Sequence, residues 1–403
     1  MTSITDTAPA PAPAPAPAPR CAAEPMQYDV VIAGAGLHGG LIALALLDAE
    51  PTLRLALVER ADRPAGNHTW CFHRADAPPD IGAWFARLPL IGWPGYRVAF
   101  PGFGRTLDLP YCCLTSEGLA AALKEAFAAH ATARLFTGVA VTTLDAEEAT
   151  LADGSQLRAP LVIDARAGAG CVGGGGYQKF LGLEVELEAD SGLDRPVLMD
   201  ACVAQGPQFR FMYVLPLSPR RLLIEDTAFA RTPDLDPAQR RAAIHAYAAA
   251  GGWHISAVLR EESGVLPMPW RGMPPAPRMP LTVGYAGGWF HPATGYSAPS
   301  ALRLAALLAR HRRDPLAALQ AEWRRHRRRF RLGLVLNWLA FRGFRPDLMW
   351  QPFARFYHLP LPVIARFCGL QSTVLDVARL LVGRPPRGFG SAWRAGQHTS
   401  EVG

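Results

Sequence analysis

The sequence predicts an α/β fold, and three observations support it. Near the N-terminus, the apolar, β-branched residues 28–33 lead into a glycine-rich turn and a helical segment, which is the order of a parallel β-α-β unit. Residues 177–226 contain several runs typical of antiparallel strands. Beyond Arg310 the chain is helical and basic. We therefore expect a three-layer parallel-sheet domain, an inserted β-sheet domain and a C-terminal helical region.

The first unit has the spacing of a dinucleotide-binding loop. Gly34, Gly36 and Gly39 form G-x-G-x-x-G directly after the strand, at the start of a helix that continues through 41–47. The first glycine permits a tight turn, the second lets the backbone approach a pyrophosphate, and the third allows close helix–strand packing. A second strand over 53–58 completes a Rossmann-like unit. The alternative is a glycine-rich turn in an ordinary α/β domain.

Further residues of this unit are predicted to contact the same ligand. Ala35 and Leu37 belong to the loop, where N–H groups at the helix N-terminus attract phosphate oxygens. Glu59 ends the second strand, where a carboxylate can accept from ribose hydroxyls, and Arg60 comes next. We expect all four to contribute to dinucleotide binding.

Composition narrows the class of protein. With 403 residues, half of them apolar, the chain is long enough for two domains or one discontinuous domain with a large insertion. Its seven cysteines are scattered, odd in number and form no C-x-x-C. Neither a disulfide framework nor a zinc site is predicted, and a reducing, cytoplasmic compartment is expected. The net charge of +7 comes from basic residues clustered late in the chain, which favours a local anionic partner over nucleic acid.

No signal peptide or membrane-spanning segment is predicted at the sequence level. Residues 8–19 alternate alanine and proline, a composition that cannot build a core, so residues 1–26 are expected to form a disordered tail. No stretch approaches the roughly 18 consecutive apolar residues of a spanning helix.

A loop with unusual side chains follows the second strand. Residues 63–73 combine proline, glycine and asparagine with His68, Trp70, Phe72 and His73. No third ligand lies near the two histidines, so we predict a loop lining a cofactor or substrate cavity and no metal site. A purely structural loop is the alternative.

Two later strands deliver carboxylates. After a helix capped by Thr115 and strands near 134–142 and 148–158, the apolar run 161–166 carries Asp164, a cofactor-site candidate. The run 221–226 ends in Glu225 and Asp226. Side chains alternate faces along a strand, so these two cannot point the same way. One is expected to face a cavity; the competing interpretation is that both end the strand and meet water.

A second glycine-bearing junction lies between a strand at 281–286 and a helix that ends near Arg310. Gly288, Thr294, Gly295 and Tyr296 precede this helix, and N–H groups there can face an anion or a flavin carbonyl. We expect the junction to return the chain to the first domain. The glycine-rich residues 168–176 are interpreted as a flexible crossover, with a second phosphate loop as the alternative.

The C-terminal region joins an arginine-rich run, 323–331, to an apolar run, 332–341. Arginines flanked by Trp323 and Phe330 fit attraction to anionic lipid, and the ten-residue apolar run could enter a membrane interface without spanning it. A solvated basic face and a buried core helix are the alternatives. Nucleic acid is not expected, because no recognised binding module accompanies the charge.

Five segments in chain order carry a family resemblance: 66–70 (GNHTW), 198–201 (LMDA), 223–227 (LIEDT), 260–264 (REESG) and 290–296 (FHPATGY). Together with the dinucleotide-binding unit, they resemble bacterial-type lycopene β-cyclases, flavoproteins of carotenoid biosynthesis with an FAD/NAD(P)-binding fold. The resemblance runs from about Tyr28 through Trp393 and leaves out the Ala-Pro tail. The glycine-rich residues 168–176 depart from the expected pattern.

The resemblance implies an isomerase of the intramolecular lyase class. An acid protonates a terminal alkene of lycopene, the cation closes a β-ring, and a proton is lost without net redox change. An alkene is a very weak base, so the acid must be held neutral in an apolar pocket. The family's acidic motif makes Glu225 the candidate acid and Asp226 a weaker candidate, with a structural role as the alternative. The residues expected to line the flavin–substrate cavity are His68, Trp70, His291 and Tyr296.

Cofactors and partners also follow from the resemblance. It implies FAD in reduced form, with NAD(P)H as reductant, because an anionic flavin places negative charge beside the cation. Lycopene and other acyclic carotenoids are the implied substrates. Since these are stored in a bilayer, peripheral association with the inner face of the cell membrane is expected, near other carotenoid-pathway enzymes. The rivals are an FAD-dependent monooxygenase, an isoprenoid reductase of the same fold, and a non-catalytic flavin- or carotenoid-binding membrane protein.

These observations divide the chain into predicted domains. The FAD/NAD(P)-binding domain is discontinuous, and the inserted β-sheet domain is expected to bind substrate. The predicted ranges are 27–92, 112–170 and 277–312 for the first, 93–111 and 171–276 for the second, 313–392 for the helical membrane-associating region, and 1–26 and 393–403 for the tails.

Overall fold

The computed structural model describes residues 24–168 and 174–392. Within them the helices are α1 (Leu37–Ala49), α2 (Ser116–Ala129), α3 (Pro237–Ala250), α4 (Ala298–Arg310), α5 (Pro315–Gly343), α6 (Trp350–Phe356), α7 (Leu361–Cys368) and α8 (Val374–Leu381). The strands are β1 (Met26–Gln27), β2 (Val30–Ala33), β3 (Leu55–Val58), β4 (Thr69–His73), β5 (Ile91–Trp93), β6 (Tyr96–Phe100), β7 (Phe103–Leu107), β8 (Tyr111–Thr115), β9 (Arg134–Phe136), β10 (Val141–Leu144), β11 (Glu148–Leu151), β12 (Gln156–Arg158), β13 (Leu161–Asp164), β14 (Gly175–Leu187), β15 (Val197–Asp200), β16 (Phe209–Ser218), β17 (Arg221–Ala230), β18 (Ile255–Pro269) and β19 (Leu281–Thr282). Most of the Ala-Pro tail and the C-terminal tail lie outside the described residues, although Met26, assigned to the tail by sequence, begins β1.

A five-stranded parallel sheet forms the centre of the first domain, in the order β19-β13-β2-β3-β9. Every residue of β2 and β3 is buried, which explains their uninterrupted apolar sequence. Helices α1 and α4 pack together over one face, and the sheet β1-β12-β11-β10 covers the other with Leu151 and Leu157 against Val31. The predicted three-layer α/β arrangement is confirmed.

A seven-stranded sheet, ordered β18-β14-β17-β16-β15-β6-β7, forms the second body of structure. The β6–β7 hairpin pairs with β15, so residues 96–107 lie in the same sheet as β14–β18. Alternate residues of β17 face opposite sides: Leu222 and Ile224 pack on α3, whereas Leu223 and Phe229 belong to an aromatic cluster under the C-terminal helices. One face of this sheet is therefore directed at the site described below.

The C-terminal region is helical, as predicted. The arginine-rich and apolar runs form one continuous helix, α5, of 29 residues that begins after the N-cap Asp314. Phe341 and Phe344 join the aromatic cluster. Among the described residues, no helix combines the length and the apolar character needed to cross a bilayer.

Several predicted elements have different bounds in the structure. The segment 63–73, predicted as a loop, contains strand β4, which pairs with β8. The predicted strand 134–142 is two strands in different sheets, because Gly138 turns the chain with φ of +72° between them. The strand predicted over 281–286 stops at Thr282, before Gly284 takes a φ of +70°.

The largest differences concern the strands next to the two adjacent carboxylates. The strand of Glu225 and Asp226 does not end at Asp226: β17 continues to Ala230, because β14 and β16 hydrogen-bond to it on both sides. The interpretation that both carboxylates meet water at a strand end is therefore wrong. The 15-residue strand β18 was not predicted at all, and it pairs with β14 along its length.

Candidate active site

A cavity of about 1680 Å³ runs from the first glycine loop, past β17 and β18, to α5 and α8. Cavities for one drug-sized ligand measure about 300–1,000 Å³. This one has room for a dinucleotide and a second, elongated ligand.

The glycine loop at one end of the cavity has the geometry that its spacing predicts. Gly34 has a φ of +100°, and a Cβ there would lie 2.7 Å from the Ala165 carbonyl oxygen. A Cβ on Gly36 would meet no described atom within 4 Å, so the backbone at this position is open to a ligand. A Cβ on Gly39 would lie 1.9 Å from the Gly34 oxygen, which shows how closely α1 packs on the loop.

Polar groups around this loop are arranged for a dinucleotide. Gly36 caps α1, which has no acidic residue in its first turn, so the helix itself places no carboxylate at its N-terminus. Glu59 accepts hydrogen bonds from the backbone N–H of Ala35 at 2.9 Å and of Ala61 at 3.0 Å, and a carboxylate retains acceptor capacity beyond these two. The buried Nε2 of His38, at the cavity wall, has no partner among the described residues. These observations fit a bound dinucleotide.

Most of the predicted cofactor residues line the cavity. They are Gly34, Gly36, Leu37, Glu59, Arg60, His68, Asp164, Thr294, Gly295 and Tyr296. Asp164 also binds the Arg166 guanidinium, at 2.9 and 2.8 Å. Ala35 and Gly39 support the loop from behind, and Gly288 packs on Pro274 while its carbonyl oxygen accepts from His326 at 2.7 Å, away from the cavity wall.

Two glutamates meet at the middle of the cavity. Glu225 on β17 and Glu262 on β18 are both in register with Gly182 on the intervening strand β14. A Cβ on Gly182 would lie 2.8 Å from Cγ of Glu225 and 3.4 Å from Cγ of Glu262. Because Gly182 has no side chain, the two glutamate side chains can approach each other across it, and their interaction contributes to the raised pKa of Glu225.

Glu262 is held by a polar network behind the cavity wall. Arg260 pairs with Glu262 and, through Nε, with Glu184 at 2.7 Å. The Thr69 hydroxyl donates to Glu262 at 3.1 Å and accepts from Arg260 at 2.8 Å, and Asn67 accepts from Arg260 at 3.0 Å. Two of the segments that carry the family resemblance, 66–70 and 260–264, therefore meet in space to fix one carboxylate.

The environment of Glu225 favours its neutral form. Burial in the cavity wall, followed by the charge of Glu262 and the hydrogen bond to it, raises the pKa of Glu225 well above its usual value. Arg260 acts in the opposite direction but less strongly. Glu225 is thus a carboxylic acid that can keep a proton at neutral pH.

Asp226 points to the opposite face of the sheet. It is almost fully buried and pairs with Arg210 at 3.0 Å and with Arg240 of α3 at 3.1 Å. It does not line the cavity. Its position corrects its inclusion among the catalytic candidates and fits a structural ion pair.

Two of the residues predicted to line the flavin–substrate cavity, Trp70 and His291, have different positions. Trp70 lines the cavity beside His68, with ring centroids 6.0 Å apart. His291 does not: its Nδ1 accepts from the Ala293 N–H at 3.1 Å, its ring packs on Phe367, and burial lowers its pKa to about 3. The expectation that His291 lines the substrate cavity is wrong, because the turn at 291–296 directs its ring into the core.

Uncharged hydroxyl and thiol groups complete the wall near Glu225. Tyr296 and Tyr111 hydrogen-bond through their hydroxyls at 2.7 Å, and Tyr111 lies 3.3 Å from the Tyr213 hydroxyl. Burial raises the pKa values of Tyr213, Tyr296 and Cys71 well above normal, so these groups stay neutral. Near Glu225 the wall therefore combines aromatic and neutral polar side chains with the glutamate pair, and Arg260 lies behind it.

The far end of the cavity is mainly apolar and is built by the C-terminal helices, although Arg355 and Arg379 also line it. Leu336, Leu339 and Ala340 of α5 contribute to it, together with Phe353 and Phe356 of α6. Leu380 and Leu381 of α8 lie at its end. Sequence reasoning placed these helices at a membrane but did not predict that they line the cavity.

Sequence reasoning also gave no role to Glu262, Arg260 or Gly182. Alternation along 258–264 was the available signal, because Arg260, Glu262 and Gly264 fall on one face of an extended strand. No metal site is indicated: the described residues contain no group of three or more His, Cys, Asp or Glu side chains placed to hold an ion.

Comparison with known sequences gives a consistent result. Residues 29–393 match the family described as lycopene cyclase protein. The chain is 40% identical over 380 residues to the lycopene beta-cyclase of Pseudescherichia vulneris, covering 91% of this chain and 96% of that protein.

Comparison with solved structures concerns the fold alone. A geranylgeranyl bacteriochlorophyll reductase-like protein from Thermoplasma acidophilum superposes with a TM-score of 0.57 at 12% identity, covering 93% of this chain and 99% of the other. PqsL of Pseudomonas aeruginosa, a probable FAD-dependent monooxygenase, superposes with a TM-score of 0.53 at 18% identity, covering 85% and 99%. Both likenesses support the α/β assignment.

Proposed function

This chain belongs to the lycopene cyclase family, and we propose that it closes the acyclic ψ-ends of lycopene to β-rings, by way of γ-carotene to β-carotene. The reaction is an isomerisation of the intramolecular lyase class: one proton is added, one is lost, and no oxidation or reduction results. The observation that carries the proposal is the position of Glu225 in the wall of a large, mainly apolar cavity, where burial and the nearby Glu262 raise its pKa.

Glu225 is the proposed general acid. Its O–H bond breaks as a C–H bond forms at the terminal alkene, and the resulting cation is attacked by the next double bond to close the ring. An alkene accepts a proton only from an acid placed against it and not already ionised by solvent. The raised pKa of Glu225 and its position between Tyr213 and Glu262 support this role.

The cavity walls would protect and stabilise the cation. Phe211 and Tyr213 of β16 and Phe229 of β17 line the cavity on the strand of Glu225 and its neighbour, and their π-systems would attract positive charge. Apolar walls exclude water, which would otherwise capture the cation as an alcohol. Loss of a ring proton then forms the new double bond.

FAD is the proposed cofactor, held by the glycine loop, Glu59 and the residues at 294–296. The open backbone at Gly36, the uncompensated N-terminus of α1 and the unpartnered Nε2 of His38 support this assignment. In its reduced form, for which NAD(P)H is the proposed reductant, the flavin would supply negative charge beside the cation.

Peripheral contact with a membrane is proposed because the substrate is a long hydrocarbon. Six exposed residues recur every three or four positions along α5 and form one stripe, which we name the α5 stripe: Arg324, Arg328, Arg331, Val335, Trp338 and Arg342. Arginines at both ends and apolar side chains at the centre fit an anionic lipid surface. On α8, Val374 and Leu375 are 86% and 70% exposed. Because both helices line the end of the cavity, lipid contact there would give lycopene a direct path inward.

The test is conversion of lycopene by the purified protein, reconstituted with FAD, reduced and kept free of oxygen. We expect β-carotene by chromatography, with no stoichiometric consumption of NAD(P)H. Glu225→Gln, which keeps the shape of the side chain but cannot donate the proton, should lower turnover by about 10²–10⁴-fold.

The controls separate this function from its rivals. The absorbance spectrum of Glu225→Gln must show that the variant still binds flavin. Asp226 is not substituted, because loss of its ion pairs would disturb the sheet itself. A monooxygenase would need oxygen at each turnover, and a reductase would consume one reductant per product. Full conversion by Glu225→Gln would refute the acid assignment, and absence of any ring product from the wild-type protein would refute the function.

A further inference from the structure

We propose that Glu262 is a positioning residue for the cyclisation. Its carboxyl group shares the proton of Glu225 across Gly182, so that the two carboxyl groups act as one acid. This inference rests on the proposed function and extends it to a residue outside the acidic motif.

The strand register creates the pair. Gly182 lies opposite Glu225 on one side and opposite Glu262 on the other, so the two side chains approach over the bare backbone of β14. Any side chain at this position would separate them, since a Cβ alone would lie 2.8 Å from Cγ of Glu225. A hydrogen bond between two carboxyl groups requires one proton between them.

The surrounding charges indicate which partner is ionised. Glu262 receives hydrogen bonds from Arg260 and Thr69, which favour a carboxylate there. Arg260 also pairs with Glu184, and Glu184 pairs with Arg221. Two guanidinium groups thus face two carboxylates, which leaves Glu225 as the neutral member of a charge-balanced cluster.

The other titratable groups that face Glu225 are not ionised partners for it. Cys71 of β4 and Tyr213 of β16 interact with it, and burial keeps both neutral by raising their pKa values. The two charged groups that most influence the pKa of Glu225 in the described structure lie on β18. Glu262 opposes the ionisation of Glu225, and Arg260 favours it.

The pair would act twice in one turnover. When Glu225 gives its proton to the alkene, two adjacent carboxylates remain, and their repulsion disfavours that state. When the ring C–H bond breaks, its electron pair becomes the ring double bond, and the released proton can return to the pair. The acid is then regenerated without an external base.

The test is the pH profile of lycopene turnover for Glu262→Gln, which keeps the side-chain volume but removes the charge. Without that charge, and with Arg260 less compensated, Glu225 loses its proton at lower pH. We expect the alkaline limb of the profile to move to lower pH, with turnover at pH 8.5 falling at least about tenfold and turnover at pH 6 within about threefold of wild type. The matched control is Glu261→Gln, because Glu261 neighbours Glu262 but pairs with Arg241 of α3, and its profile should match wild type.

An infrared titration of the same proteins gives a readout independent of turnover. The protonated-carboxyl band that Glu225→Gln removes should persist to higher pH in wild type than in Glu262→Gln. If Glu262→Gln does not fold, Glu262→Asp, which retains the charge on a shorter side chain, should show a smaller shift in the same direction. A uniform loss of turnover at every pH with an unshifted band would overturn the inference. If wild type makes no ring product, the proposed function fails, and the infrared titration still decides whether the proton is shared.

Discussion

Replacing Gly182 by alanine tests, with one methyl group, whether the site depends on contact between its two carboxyl groups. The new Cβ would lie 2.8 Å from Cγ of Glu225 and 3.2 Å from Cδ1 of Leu223. Both are side-chain atoms, so the strand pairing of β14 can survive while Glu225 rotates away from Glu262. The substitution therefore separates the acid from its partner without removing either.

The stability change should be small. Overpacking of this kind costs about 1–3 kcal/mol. Alanine regains about 0.5–1 kcal/mol over glycine in a strand, so we expect the free energy of unfolding to fall by about 0–2.5 kcal/mol. Turnover at pH 8.5 should fall at least about tenfold, as expected for Glu262→Gln, because the separated Glu225 loses its proton at lower pH.

The assay combines anaerobic lycopene conversion with urea unfolding. Gly104→Ala is the matched control: Gly104 lies on β7 of the same sheet, and a Cβ there would have its nearest described contact at 3.7 Å, to the Val98 oxygen. It should retain wild-type turnover. Wild-type turnover by Gly182→Ala would show that contact between the carboxyl groups is not required, and loss of turnover only in step with unfolding would show the effect to be one of stability.

Two further predictions concern stability and lipid binding. The pKa of Glu225 is raised in the folded state, so its contribution to stability is present below the pKa of the unfolded chain and is lost as pH rises. Relative to wild type, the free energy of unfolding of Glu225→Gln should therefore increase by up to about 1.4 kcal/mol per pH unit between pH 5 and 8. If urea unfolding gives the same difference between variant and wild type at pH 5 and at pH 8, this prediction is contradicted. Val374→Glu with Leu375→Glu should reduce cosedimentation with anionic vesicles at least about tenfold. The control pair, Val258→Glu with Leu259→Glu, replaces two other exposed apolar residues, on β18 away from the cavity, and should bind as wild type. Equal loss in both pairs would refute the proposed contact surface.

The features that sequence predicted well are local ones. The glycine loop follows from spacing within six residues, and its backbone conformation is dictated by those glycines themselves. The opposite orientation of Glu225 and Asp226 follows from strand alternation alone. The helix that begins after Thr115 was predicted from its cap, and the Thr115 side chain accepts from Gly118 as expected.

The features that sequence reasoning missed depend on contacts between distant segments. The pairing of Glu225 with Glu262 is set by the register of three strands, and nothing near either residue reveals it. His291 was placed in the cavity by its neighbours, but a hydrogen bond from its N–H to the Tyr296 oxygen closes a turn that sends the ring elsewhere. The apolar run of α5 was read as an interface segment, whereas Leu336 and Ala340 face the cavity.

Because α5 is one continuous helix, substitutions that alter its cavity-lining residues can also alter its exposed surface. Val335 is 48% exposed on the α5 stripe and also lines the cavity, and Leu336 beside it lies inside. Since neighbouring positions on one helix belong to the cavity wall and to the proposed lipid-contact stripe, a substitution chosen to alter substrate preference would also alter that proposed contact surface. Directed evolution of a new carotenoid specificity should therefore proceed more freely through α6, whose Phe353 and Phe356 line the cavity without being part of that stripe.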